Sequence, residues 1–247
     1  MSLLQHLLER LSAAGQLITL LAAYGVAVWL IENEAQAEGG PPLDLGRLTT
    51  WLGLGALVGG RLGFALPHWS VYLRYPLDLL YVTTGLSFFG GLVGVLLAAL
   101  LFSRRHGVAL NRLLDLVAPA AILGITVYRL ACIVRGDCGG AQAAPPLGLV
   151  LPGASVPRYP VEIWEGLLSL ALFSLLVWRR GWRAVPGRLA LVALVVYPLL
   201  RAGADLFRLN LDGWPTPDQR LSLLTAALAG AVWLWRIRAP QPPRTSR

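Results

Sequence analysis

Lysine is absent from this chain, and all 21 of its cationic side chains are arginines. Charge of either sign is scarce, at 14% of residues, where a water-soluble domain carries about 25%. Mean hydropathy is correspondingly high, at +0.62, which excludes an ordinary soluble fold. No polar stretch exceeds roughly thirty residues, too short for an independent core. Two cysteines and three scattered histidines are too few for a metal centre, and no cofactor is expected. The net charge of +8 would suit nucleic acid, but most arginines lie beside apolar runs. Orientation in a bilayer explains them there, so no nucleic-acid partner is expected.

A helix crosses a bilayer with about 20 apolar residues. The sequence offers seven candidates, at 14–31, 48–66, 83–102, 108–134, 161–178, 189–207 and 221–235. The expectation is an all-α integral membrane protein of about seven transmembrane helices in one multi-pass domain. Residues 1–13 are amphipathic and lack a small-residue cleavage site, so they read as an interfacial helix. Residues 14–235 then form the bundle and 236–247 a tail. Arg104 and Arg105 follow the third span, Arg179, Arg180, Arg183 and Arg188 the fifth, and Arg236 and Arg238 the seventh. If the spans alternate, all three clusters fall on one side. The positive-inside rule makes that side cytoplasmic, with the amino terminus outside and the carboxyl terminus inside.

That topology sorts the charges inside the spans by depth. Arg61, Arg129 and Arg201 come late in outward-running helices, whereas Phe88, Phe89, Glu162 and Glu165 come early in inward-running ones. All fall in the outer half of the bilayer. Guanidiniums converging near headgroup depth, with few carboxylates beside them, would make an anion site, and a phospholipid headgroup is the obvious anion. Each residue also has a plainer reading. Arg61 can snorkel to the interface, Arg201 and Asp205 can neutralise each other at i,i+4, and Asp115 can serve Arg112 locally.

Gly55, Gly59 and Gly63, with Gly90 and Gly94, have the spacing that lets helix backbones approach closely or leaves room for a ligand. The connections 67–82 and 136–160 are rich in proline and aromatic residues, as befits an interface or a substrate gate. Cys132 and Cys138 lie at the same face. A bridge between them requires the helix to unwind at Gly136, and two buried thiols are the other reading.

In order and spacing, the chain from about Tyr24 to Trp235 resembles the prolipoprotein diacylglyceryl transferases. Gly59-Gly60-Arg61-Leu62-Gly63 is similar to that family's GGR-x-G, and Ser87-Phe88-Phe89-Gly90-Gly91 with Gly94 to its SFHGG-x-x-G. Asp115 with Ala118-Pro119, Arg129 with Gly136 and Gly140, and Tyr159-Pro160 with Glu165 also match. Tyr197 through Arg201 and Asp205 to Arg208 resembles Y-x-x-x-R-x-x-x-E-x-x-R, and Gln219 and Ser222 fit the opening of the last helix.

The resemblance implies a seven-helix enzyme of the bacterial inner membrane. It would move the diacylglyceryl group of phosphatidylglycerol onto the lipobox cysteine thiol of a prolipoprotein, releasing glycerol phosphate. It further implies catalytic roles for Arg129, Arg201, Asp205 and Glu165, and substrate contacts from Arg61, Arg129, Gly140, Tyr159, Arg201 and Arg208. The partners would be phosphatidylglycerol, lipobox peptides and the bilayer. Phe89 departs from the pattern, because it stands where the family has histidine and a phenyl ring moves no proton. Tyr128, Cys132, Arg135 and Asp137 also differ from the signature stretch, and Gln16 stands near the place of an expected tyrosine. Two alternatives remain at this stage: a family member that binds lipid or lipoprotein without catalysis, and a small transporter.

Overall fold

The computed structural model describes residues 3–38, 43–81, 85–135, 139–151, 154–208 and 215–238. Its helices are α1 (Leu3–Glu38), α2 (Leu45–Ala65), α3 (Trp69–Arg74), α4 (Phe88–His106), α5 (Leu110–Leu130), α6 (Cys132–Arg135), α7 (Val161–Trp178), α8 (Arg188–Ala204) and α9 (Pro217–Arg238). The described residues contain no strand beyond isolated bridges of Arg158 with Gln142 and Leu149.

Among them, six helices are long and apolar enough to cross a membrane, in α1, α4, α5, α7, α8 and α9. The seventh long helix, α2, has the length of a span at 21 residues, but six glycines and two arginines lower its hydropathy. The protein is thus an all-α, multi-pass membrane protein. α1 continues unbroken from Leu3, so the amphipathic first turns and the apolar run share one helix. The interfacial role expected for residues 1–13 concerns side chains outside the described ones.

Local chemistry sets the helix ends. Asp44 accepts the Arg47 amide at 3.0 Å and starts α2, and Ser87 accepts the Gly90 amide at 3.2 Å and starts α4. α4 ends at Gly107, in the left-handed region at φ +66°, with Arg104, Arg105 and His106 in its last turn. α8 begins after Gly187, which has no side chain to cap with. Asp115 of α5 supplies the cap from across the bundle, accepting the Gly187 amide at 2.6 Å and the Ala190 amide at 2.9 Å. Asp115 is therefore a buried helix cap rather than a partner for Arg112 alone.

Two apolar cores meet along α5. Leu48, Leu52, Ala99 and Phe102 pack on its Leu113 and Leu116. On the other side Ala118 and Ile122 meet Leu172, Leu176, Leu189 and Val192. α2 and α4 pack through bare backbone. A Cβ on Gly55 would lie 2.7 Å from that of Ala98, and Cβ atoms on Gly59 and Gly63 would lie 2.8 and 2.7 Å from the Cα atoms of Gly94 and Gly90. The close-approach reading of these glycines therefore holds.

The 67–82 connection is more ordered than its prolines suggest. It folds as short 3-10 turns at Leu66–His68 and Pro76–Leu80 around α3. α5 stops at Leu130, short of the expected 134, with a turn at Ala131. Cys132 just beyond is fully buried and disulfide-bonded, which removes the free-thiol reading for it. Cys138, like Gly136 and Asp137, lies outside the described residues.

Candidate active site

Glu165, one turn into α7, is fully buried and gathers four side chains from α5, α8 and the turn after α8. Its Oε1 lies 3.1 Å from Arg129 Nε of α5 and 3.5 Å from an Arg201 nitrogen of α8, and the Tyr197 hydroxyl donates to it at 2.7 Å. Its Oε2 accepts from Arg208 at 2.7 Å. Arg208 also reaches Glu162 at 2.9 Å and Asp205 at 3.0 Å. Glu162 in turn accepts the Gly139 amide at 2.9 Å. Asp205 takes the Thr216 hydroxyl at 2.7 Å, and Thr216 and Gln219 exchange hydrogen bonds at 3.0 and 3.1 Å to open α9. The ends of α5 and α8 and the starts of α7 and α9 are thereby fastened together.

Arg201 stands at the edge of this cluster. It pairs with Asp218 of α9 at 2.5 Å, and its guanidinium carbon lies 5.0 Å from the Phe88 ring centre and 5.8 Å from that of Phe89. Its Nε is buried with no hydrogen-bond partner among the described residues. The Asp218 side chain is 49% exposed, against 0% for Glu165 and 7% for Asp205. Phe89 also faces a groove of about 1100 Å³ between α2 and α4. The groove is floored by Gly55, Gly59 and Gly94, runs from Arg47 to Ser87, and meets α9 at Leu221. One cation thus joins a charged cluster to a long apolar groove.

Of the residues singled out in the sequence, Arg129, Glu165, Arg201, Asp205 and Arg208 come together here. Arg61 is engaged elsewhere. It donates to the carbonyls of Asp78, of Leu79 at 2.8 Å and of Gly85 at 3.1 Å, beneath Phe64 and Tyr72. The described contacts make it a clasp on the backbone at Asp78, Leu79 and Gly85. Gly140 lies where a Cβ would strike the carbonyls of Tyr159 and Phe207. Tyr159 packs against Phe207 and Trp164, with ring centres 5.3 and 5.8 Å away. Arg158 donates to the Gly140 carbonyl at 3.1 Å and braces the same corner.

The expected scarcity of carboxylates is corrected. Three guanidiniums, Arg129, Arg201 and Arg208, meet four acids, Glu162, Glu165, Asp205 and Asp218. A buried arginine needs such compensation before any ligand arrives, a requirement that depth along the chain does not reveal. Asp218 escaped the sequence reading because an acid in a first helical turn reads as a partner for the helix dipole. Its place at the start of the last span, level with Phe89, was the available signal.

A family model described as Prolipoprotein diacylglyceryl transferase matches residues 17–235, most of the chain. The chain belongs to the prolipoprotein diacylglyceryl transferase family. Curated members of that family, each named phosphatidylglycerol--prolipoprotein diacylglyceryl transferase, are similar along much of their length. The Cereibacter sphaeroides protein is 35% identical over 201 residues, covering 74% of this chain and 69% of its own. That of Bordetella avium is 35% identical over 196 residues, 77% and 72% of the two chains. That of Solidesulfovibrio magneticus is 34% identical over 234 residues, 87% and 86%. Phe89, at the position to which the sequence resemblance assigns a histidine, is buried edge-on to Phe88 with ring centres 5.1 Å apart.

Proposed function

We propose that this protein transfers the diacylglyceryl group of phosphatidylglycerol to the lipobox cysteine thiol of prolipoproteins in the bacterial inner membrane. The reading rests on family membership and on one observation, the position of Arg201. Its guanidinium has an unused buried Nε–H and touches the ring that closes an apolar groove. A phospholipid needs that combination, with its phosphate on the cation and its acyl chains along α2 and α4. Arg129, which meets the same Glu165 oxygen as Arg201, shares the phosphate. The four donors on Glu165 occupy about as many sites as a carboxylate offers, so Glu165 positions arginines and does not accept a proton. Asp205 and Arg208 hold the cluster, while Gly140 and Tyr159 shape the corner beside it. Arg61 holds the backbone of Asp78, Leu79 and Gly85 at the groove's end. The arginine clusters at 104–105, 179–188 and 236–238 support an outside amino terminus, an inside carboxyl terminus and an outward-facing site in one multi-pass domain.

The test is transfer from phosphatidylglycerol to a lipobox peptide by purified protein in lipid micelles. Wild type yields the thioether. Arg129→Ala that still elutes as a folded species loses it by at least about a hundredfold, the scale of one lost transition-state charge contact. Unimpaired labelling by that variant rejects the phosphate role.

A further inference from the structure

The transfer needs a group to take the thiol proton, and Phe89, where the resemblance would place a histidine, offers only a phenyl ring beside Arg201. Nearly every other basic group at the site is committed. Glu165 is filled by three arginines and a tyrosine, Glu162 by Arg208 and the Gly139 amide, and Asp205 by Arg208 and the Thr216 hydroxyl. Cys132 is held in its disulfide, and His106 stacks on Phe102 at the far end of α4. Asp218 differs from all of these. Its described ion pair is to a single arginine, its side chain is half exposed, and Leu221 one turn further along α9 lines the same groove as Phe89.

We propose, building on the transferase reading above, that Asp218 is the catalytic base, standing in across Arg201 for the imidazole that Phe89 lacks. In the resting site Asp218 neutralises Arg201. When the phosphodiester arrives, its oxygens take the guanidinium, including the vacant Nε–H, and the carboxylate is released toward the space where the thiol enters. Asp218 then accepts the thiol proton. The sulfur lone pair forms a carbon–sulfur bond at the glyceryl carbon bearing the phosphate, as that carbon–oxygen bond breaks and its electron pair leaves on glycerol phosphate. The proton passes from Asp218 to the departing phosphate or to water. One proton is moved per turnover, and no oxidant, reductant or metal is needed.

The test compares Asp218→Asn and Asp218→Glu with wild type in single turnovers, using a lipobox peptide carrying cysteine or, in parallel, selenocysteine. A selenol is already ionised at neutral pH and needs no base. On the thiol peptide D218N is expected to fall about a hundredfold to ten-thousandfold, as for loss of a general base, and D218E to recover part of that. On the selenol peptide D218N is expected to match wild type, whereas R129A remains inactive. Equal losses by D218N on both peptides would make Asp218 a positioning residue and overturn the proposal, as would full activity on the thiol. Product from wild type on neither peptide would instead overturn the transferase reading itself, and the base assignment with it.

Discussion

Replacing Glu165 by glutamine keeps the volume and the Tyr197 hydrogen bond while removing one negative charge. Arg129 at 3.1 Å, Arg201 at 3.5 Å and Arg208 at 2.7 Å then face a neutral amide in a fully buried position. Arg208 retains Glu162 and Asp205, and Arg201 retains Asp218, so most of the loss falls on Arg129. Removing one member of a buried ionic network costs about 3–5 kcal/mol. For a chain of this size each kcal/mol moves the unfolding midpoint by about 2–4 °C, so E165Q should melt roughly 6–20 °C lower. Tryptophan fluorescence or aggregation-coupled melting in one detergent measures this directly. Glu165→Asp, which keeps the charge but shortens its reach, should fall between the two. An E165Q midpoint within a degree or two of wild type would mean that the arginines find compensation without Glu165, and the hub described here would be wrong.

Gly94→Ala sets a methyl group against the Gly55 carbonyl and is expected to cost at least about 1–3 kcal/mol by overpacking. The measurement is the yield and midpoint of folded protein, and a neutral result would contradict the backbone contact. Asp115→Ala leaves the Gly187 and Ala190 amides without their acceptor, at about 1–3 kcal/mol. It should lower the midpoint while leaving the rate per folded molecule intact, and a selective loss of rate would refute its purely capping role. A reporter fused after Arg238 should be active only in its cytoplasmic form, and an active external reporter would reverse the topology.

The spans and the glycine zipper were legible because both are local properties, hydropathy within a window and a spacing of four on one helix face. The grouping of Arg129 with Arg201 also came from position, since alternating helices place late and early residues at a common end, whereas Arg208 came from the resemblance alone. What each arginine touches was not legible. Arg61 shares that end, yet its described hydrogen bonds go to the carbonyls of residues 78, 79 and 85, contacts that no spacing along the chain announces. Glu162, Glu165 and Asp218 joined the set through contacts distant in sequence, and only Asp205 pairs locally, with Arg208 at i,i+3. Asp218, which no pattern singled out, lies beside Arg201 only because α9 folds back along α8. Cys132 shows a milder limit: the sequence allowed a bridge or a free thiol, and the apolar run gave no sign that α5 stops at Leu130.

The glycine floor of the groove bears on which lipids the protein can use. Bare backbone lies only where α2 and α4 touch, and Leu54, Val58 and Leu62 of α2 and Val93 and Leu97 of α4 line the groove along the same height. A tail lying there would rest on backbone and be gripped by branched side chains on two sides, so larger residues at Leu54, Val58 or Val93 should narrow the track and favour slender, saturated donors.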